Sequence, residues 1–281
     1  MQNTELDFTE IDKIITNALR EDIGTGDITT NALINENDSC KAMILAKDDA
    51  VIAGLPIANR VFSIFDDKIC FTIKVNDGEI VQRNQTVAEI IGNARTILTC
   101  ERLALNFLQR LSGIATYTHR FLKEVQKYNV KILDTRKTVP GLRLLDKYAV
   151  KMGGGTNHRF GLFDGVLIKE NHIKCVGDVV TAIEKAKKEN MDNFKVEVEV
   201  STLNEVGDAL RSGADIIMLD NMSVEEMSEA VNIVGGKAKL EASGCVNLDS
   251  VESIAKTGVD YISIGSLTHS PPSVDISLYL V

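Results

Sequence analysis

Six short apolar runs, each stopped by a polar, charged or glycine-containing group, constrain the fold of this chain more than any other feature. They read KILDTRK (131–137), GVLIKEN (165–171), KVEVEVS (195–201), DIIMLDN (215–221), KLEASGC (239–245) and DYISIGS (260–266). Amphipathic segments of helical length fill most of the gaps. Buried strands alternating with helices imply a parallel sheet, and this many units in succession predict a closed or nearly closed β/α barrel. Barrel enzymes keep their chemistry at the C-terminal ends of the strands, where these polar groups fall.

Residues 1 to about 110 lack that rhythm. A helix near 9–21 precedes EDIGTGDITT, the strand-like CKAMILAK and AVIAG, and a short helix opening at Pro56, where proline suits the first turn. FTIKVNDGEIVQRNQTVAEIIG then alternates apolar and polar residues, with turn signals at Asn76-Asp77-Gly78 and Asn84-Gln85, which predicts antiparallel hairpins. A long helix is expected from about Ala94 toward Tyr128, broken or bent near Ser112-Gly113 and bridging two domains. On it Arg102, Asn106 and Gln109 share one face, which by spacing alone reads as a solvated stripe, while Leu103, Leu105, Leu108 and Leu111 read as core. Later helices carry capping boxes at Thr202/Glu205 and Ser223/Glu226, and Gly213 and Gly258 fall at helix ends.

At 281 residues and 44% hydrophobic composition the chain can bury a large core. Its formal charge of −9 makes nonspecific nucleic-acid binding a poor expectation, without forbidding a local basic pocket. The start, MQNTELDFTEIDKII, has neither the basic nor the apolar region of a signal peptide, and no run reaches the length of a membrane span. A soluble cytoplasmic protein is expected. Five dispersed cysteines with no CxxC spacing predict free thiols and no zinc site.

The strand ends carry the chemistry. Arg136 and Lys137, after Asp134-Thr135, form an anion site if they stand at a barrel mouth. His158 and Arg159 follow Gly153-Gly154-Gly155. Lys169 offers a Schiff-base nucleophile, a phosphate contact or an ion-pair partner. His158 and His172 have too few acidic neighbours in the chain to argue for a metal triad and read as structural. Glu197 and Glu199 share one strand face; if it points inward, burying them demands cations or a metal, and Asp220 can join them. Such a group suits Mg²⁺ held through water, sugar hydroxyls, or plain pairing with Lys169 and the arginines. Ser243-Gly244-Cys245 and Gly265-Ser266 expose backbone N–H groups of the kind that bind phosphate after the last strands.

EDIGTGDITT, CERLALNFLQRLSGIAT, ILDTRKTVPGLR, KMGGGTNHRFGLFDGVLIKENHI, VEVEV, IIMLDN, EASG and IGSLTHSPPSVDISL closely resemble the quinolinate phosphoribosyltransferase family, in the family's order and over nearly the whole chain. The resemblance implies a type II phosphoribosyltransferase fold: an N-terminal α/β sandwich (1–111, completed by 271–281) and an open seven-stranded α/β barrel (112–270). It implies transfer of phosphoribosyl from phosphoribosyl pyrophosphate to quinolinate, with loss of CO₂ and Mg²⁺ as cofactor. It also implies a homodimer, open to higher assembly, in which Arg102 reaches the partner's site.

Carried over by motif, Thr135, Arg136, Lys137, Arg159 and Lys169 would bind the dicarboxylate or the phosphates, with His158 lining the pocket. Glu199 and Asp220 would serve the ribose hydroxyls and the metal. Ser243-Gly244 and Gly265-Ser266 would hold the 5′-phosphate, with Cys245 and Ile264 beside them among the substrate-binding residues. Lys137, Lys169, Glu199 and Asp220 would be the catalytic residues. Cys245 stands where relatives often have glycine or asparagine; a backbone contact survives that change provided φ there is not positive. Rival readings are a transferase for another acceptor such as nicotinate, a Schiff-base aldolase on Lys169, and a ligand-binding regulator without turnover.

Overall fold

The computed structural model describes residues 6–190 and 194–281. The first five residues of the start read for a leader therefore lie outside it. In chain order the elements are α1 (Phe8–Ile23), α2 (Ile28–Leu33), β1 (Ser39–Ala46), β2 (Ala50–Val51), α3 (Leu55–Phe65), β3 (Cys70–Ile73), β4 (Ile80–Val81), β5 (Thr86–Asn93) and α4 (Ala94–Val125). There follow β6 (Lys131–Leu133), α5 (Arg143–Met152), β7 (Val166–Ile168), α6 (Glu170–Val176), α7 (Val179–Glu189), β8 (Val196–Val200) and α8 (Leu203–Arg211). The chain ends with β9 (Ile216–Asp220), α9 (Val224–Val234), β10 (Lys239–Ser243), α10 (Val251–Lys256), β11 (Tyr261–Ser263), α11 (Ser266–His269) and β12 (Ile276–Leu280).

Contacts divide the chain into two compact units. The first takes the chain up to His119, then Thr138–Gly154 and Thr268–Val281; the second takes Arg120–Lys137 and Gly155–Leu267.

In the first unit a four-stranded sheet runs β12-β1-β5-β3, all antiparallel. The C-terminal strand closes it, with Ala42 opposite Leu280 and Ala46 opposite Ile276. The expected hairpins are rearranged. β3 pairs with β5, and β4 leaves to pair with β2. Asp77, in the turn between β3 and β4, is committed elsewhere: its carboxylate accepts from Gly54 N (2.6 Å), Leu55 N (3.1 Å) and the Tyr148 hydroxyl (2.7 Å). It thus satisfies the open N–H groups at the start of α3, whose preceding Gly54 has no side chain to do so.

α4 is one continuous helix of 32 residues, without the predicted break. Gly113 serves packing instead: a Cβ there would lie 2.2 Å from the Pro272 carbonyl oxygen, so the tail approaches the helix where a side chain is missing. Beside it the Ser112 hydroxyl is buried and accepts from Ala53 N at 3.1 Å.

In the second unit, among the described residues, a parallel sheet of six strands runs β6-β11-β10-β9-β8-β7. The seventh strand of the expected barrel is reduced to a bridge: Thr156 pairs parallel with Leu133, its N–H donating to Ile132 O at 2.9 Å. That leaves the barrel open between this bridge and β7. Period-2 alternation explains the burial. Val196, Val198 and Val200 are buried in one set, and Glu197 and Glu199 stand on the other face of β8. Both predicted capping boxes form, at Thr202/Glu205 and Ser223/Glu226. Among the described residues no helix is long and apolar enough to cross a membrane.

Candidate active site

The C-terminal ends of the barrel strands surround a cavity of about 530 Å³. It is lined by Thr135, Arg136, Lys137, His158, Arg159, Lys169, Glu199, Asp220, Ser243, Gly244 and Cys245, all picked out from the sequence, together with Glu241 and Ser263, which were not.

Asp134 organises the first wall. Fully buried just past β6, it accepts from His158 N (2.8 Å) and Asn157 Nδ2 (2.6 Å), so the glycine-rich segment is tied to the strand end. Thr135 Oγ1 accepts from Lys137 N at 3.0 Å and turns the chain at the pair of cations. Arg159 donates through Nη1 to Gly165 O at 2.9 Å, while its Nε is buried with no acceptor among the described residues. Burial, and then repulsion from Arg136, push the Arg159 guanidinium below its ordinary pKa; Glu197 and Asp164 oppose the shift. Two partly desolvated guanidiniums side by side, one with a donor to spare, call for an anion with more than one acceptor.

Lys169 follows β7, at the N-cap of α6, and reaches Glu199 on the neighbouring strand, Nζ to Oε2 3.1 Å. His172 is explained structurally: its Nδ1 accepts from Lys169 N at 2.9 Å and caps α6. At the end of β9, Asp220 Oδ2 accepts from Asn221 Nδ2 at 2.9 Å. Glu199 and Asp220 are carboxylates on one cavity wall, a hard oxygen donor set that fits Mg²⁺ completed by water or substrate oxygens.

The last wall is backbone. Gly244 has φ 99°, and a Cβ on it would lie 2.2 Å from Asn221 Oδ1, so only glycine fits. Cys245 follows with φ 49°. The condition attached to it from sequence is not met, but the backbone contact does not depend on it: positive φ is the course glycine or asparagine would take there, so the backbone path is kept and the cysteine Cβ bears the cost.

The structure corrects the reading of His158. Carboxylates distant in the chain converge on it, Glu197 Oε2 at 3.1 Å and Glu241 Oε2 at 3.7 Å from Nε2. Glu241 was missed, although KLEAS places one carboxylate between apolar neighbours as VEVEV does. Three such groups can hold a metal. Here, however, His158 Nδ1 accepts from Arg159 N at 2.8 Å, so the ring proton sits on Nε2 and blocks the lone pair a metal would need. The cluster is a hydrogen-bonded one. Burial first and the Glu197 charge second push Glu241 up to about 8, against the opposing pull of His158 and Ser263.

Four expected residues lie apart from this lining. Ile264 is buried and its N–H donates to Leu133 O at 2.9 Å, and Gly265 and Ser266 follow it into α11. Arg102 belongs to the first unit, where with Gln109 and Tyr279 it lines a cavity of about 260 Å³.

Residues 27–112 match the family described as quinolinate phosphoribosyl transferase, N-terminal domain, and residues 114–279 the C-terminal domain of the same enzyme. A relative in Methanocaldococcus jannaschii, named probable nicotinate-nucleotide pyrophosphorylase [carboxylating], is 46% identical over 96% of both chains. One of the same name in Bacillus subtilis is 41% identical over 97% of this chain and 94% of its own. The solved nicotinate-nucleotide pyrophosphorylase of Francisella tularensis superposes with a TM-score of 0.95 at 44% identity, covering 99% of this chain and 98% of that one. With both domains matched and the cation-lined barrel mouth in place, the chain belongs to the quinolinate phosphoribosyltransferase family.

Proposed function

We propose that this protein transfers the phosphoribosyl group of phosphoribosyl pyrophosphate to quinolinate, releasing pyrophosphate and CO₂ and forming nicotinate mononucleotide on the route to NAD. The observation that carries it is the meeting of Arg136, Lys137, Arg159 and Lys169 with Glu199 and Asp220 around one cavity. A dicarboxylate supplies the acceptor that Arg159 Nε lacks among the described residues. The carboxylates face the charge that develops on the ribose as the pyridine nitrogen displaces pyrophosphate.

The cations orient both acceptor carboxylates and hold the 2-carboxylate until it departs as CO₂. Mg²⁺, held by Glu199 and Asp220 directly or through water, would neutralise the leaving pyrophosphate. Ser243, Gly244 and Cys245 offer the 5′-phosphate a backbone cradle; Ile264, whose N–H is spent on Leu133 O, does not extend it. The protein works in the cytoplasm as a homodimer in which Arg102 completes the partner's acceptor site. This last assignment rests on the family resemblance and on the exposure of Arg102.

The test is incubation with phosphoribosyl pyrophosphate, Mg²⁺ and quinolinate, with nicotinate as a parallel acceptor, and quantitation of nicotinate mononucleotide and CO₂. Product from quinolinate alone is expected. Product from nicotinate in preference overturns the assignment of acceptor.

A further inference from the structure

Loss of CO₂ leaves an electron pair on the ring carbon, and some group must give that carbon a proton. Most of the cavity wall is unsuited. Arg136, Lys137, Arg159 and Lys169 are assigned to the substrate's anionic groups, Glu199 is paired with Lys169, and Asp220 accepts from Asn221. The hydroxyls of Thr135, Ser243 and Ser263 are weak acids. His158 turns its ring proton to Glu197 and uses its other nitrogen as an acceptor, so it has none to give to the cavity.

Glu241 differs. It lines the cavity yet is 1% exposed. One N–H, that of His158 Nε2, serves two buried carboxylates, and Glu197 is the nearer by 3.1 Å to 3.7 Å. Glu241 Oε1 has no hydrogen-bond partner among the described residues. A second anion left there with no charged donor of its own, and only the Ser263 hydroxyl facing it, is costly, and a proton on Glu241 removes the cost.

On the phosphoribosyltransferase reading above, we propose that Glu241 is the acid that delivers the proton replacing the lost carboxylate. The bond from the ring carbon to the carboxylate breaks, its electron pair stays on the ring, and CO₂ leaves. The carbon takes the proton from Glu241 as that bond breaks, so CO₂ departs only as the proton arrives, and the O–H electron pair remains on a carboxylate. Solvent returns a proton through the open cavity once product has gone. The groups facing Glu241 are Glu197 from β8, His158 from the segment before β7 and Ser263 from β11. Its retention of a proton to about pH 8 suits an acid working near neutrality.

Glu241→Gln keeps the shape and cannot give up a proton. It is expected to bind quinolinate by calorimetric titration while product formation falls about 100-fold, the ordinary contribution of a general acid. Pyrophosphate release should then outrun CO₂ release, because transfer precedes the blocked step; a merely structural role slows both together. Equal slowing of the two, or unchanged turnover, overturns the proposal. Should the variant not fold, the wild type decides: raising pH through about 8 should lower CO₂ release relative to pyrophosphate, and a constant ratio refutes the assignment. A wild type releasing neither pyrophosphate nor CO₂ overturns the transferase reading itself, and this proposal with it.

Discussion

Lys169 Nζ stands 3.1 Å from Glu199 Oε2, an ion pair spanning the ends of the adjacent strands β7 and β8. The lysine side chain is 51% exposed and the glutamate 16%, so the cation can swing toward a ligand while the carboxylate stays in place. On the proposed reading each residue serves both its partner and the substrate. Lys169→Met and Glu199→Gln should each lower kcat/KM for quinolinate, by about tenfold to a hundredfold for the lysine if one charge-assisted contact is lost. The double variant should lose less than the product of the single losses, because the second substitution removes a group already deprived of its partner. Fully multiplicative losses in this cycle would show that the two act separately.

Arg136 gives a prediction of opposite signs in two measurements. Its charge helps hold the Arg159 guanidinium below its ordinary pKa, so the two repel in the ligand-free protein. Arg136→Ala should leave the Tm of the ligand-free protein unchanged or higher. The same variant should lose about tenfold to a hundredfold in kcat/KM, one charged contact to the dianion being worth about 1.5–3 kcal/mol. It should also lose the thermal stabilisation that quinolinate gives the wild type. A lower Tm without ligand would mean that Arg136 has mainly a structural role.

The barrel and most of its rim were legible because period-2 alternation fixes which side chains face inward, and a strand end is marked by the polar residue that stops an apolar run. Glu197, Glu199 and Asp220 follow from that pattern alone. His158 with Glu197 and Glu241 does not, since three segments far apart in the chain meet only after the sheet has closed. Asp134 was passed over for a related reason: its partners are the backbone of His158 and the side chain of Asn157, more than twenty positions on. Asp77 in its turn, and Gly113 in α4, misled because one residue type has two uses. A turn aspartate can cap a distant helix, and a helical glycine can admit another backbone instead of bending its own.

Gly113 can be tested directly. Its missing side chain leaves room for the Pro272 carbonyl, to which an added Cβ would come within 2.2 Å. A backbone atom cannot swing away as a side-chain tip can, so Gly113→Ala should displace the tail that leads into β12. The cost expected for overpacking a close contact is about 1–3 kcal/mol, outweighing the gain in helix propensity of about 1 kcal/mol. Urea unfolding should show a lower midpoint. A raised midpoint would return Gly113 to the role of an ordinary helix weakener.

Cys245 is the place where this chain carries strain it need not. At φ 49° its Cβ crowds the following backbone, which costs about 1–2 kcal/mol for an ordinary residue. Asparagine tolerates that region better, and it loses less freedom on folding than glycine does. Cys245→Asn should therefore stabilise the fold by about 0.5–1 kcal/mol, and Cys245→Gly by less, because the glycine's unfolded-state entropy offsets part of the relief. Cys245→Val should destabilise by about 1 kcal/mol or more, since a β-branched side chain is the least suited to positive φ. The order asparagine, glycine, cysteine, valine in urea midpoints is the expected result. Valine equal to cysteine would mean that the loop relaxes to negative φ in solution, and the turn built on Gly244 would then not present its N–H groups to the cavity as described.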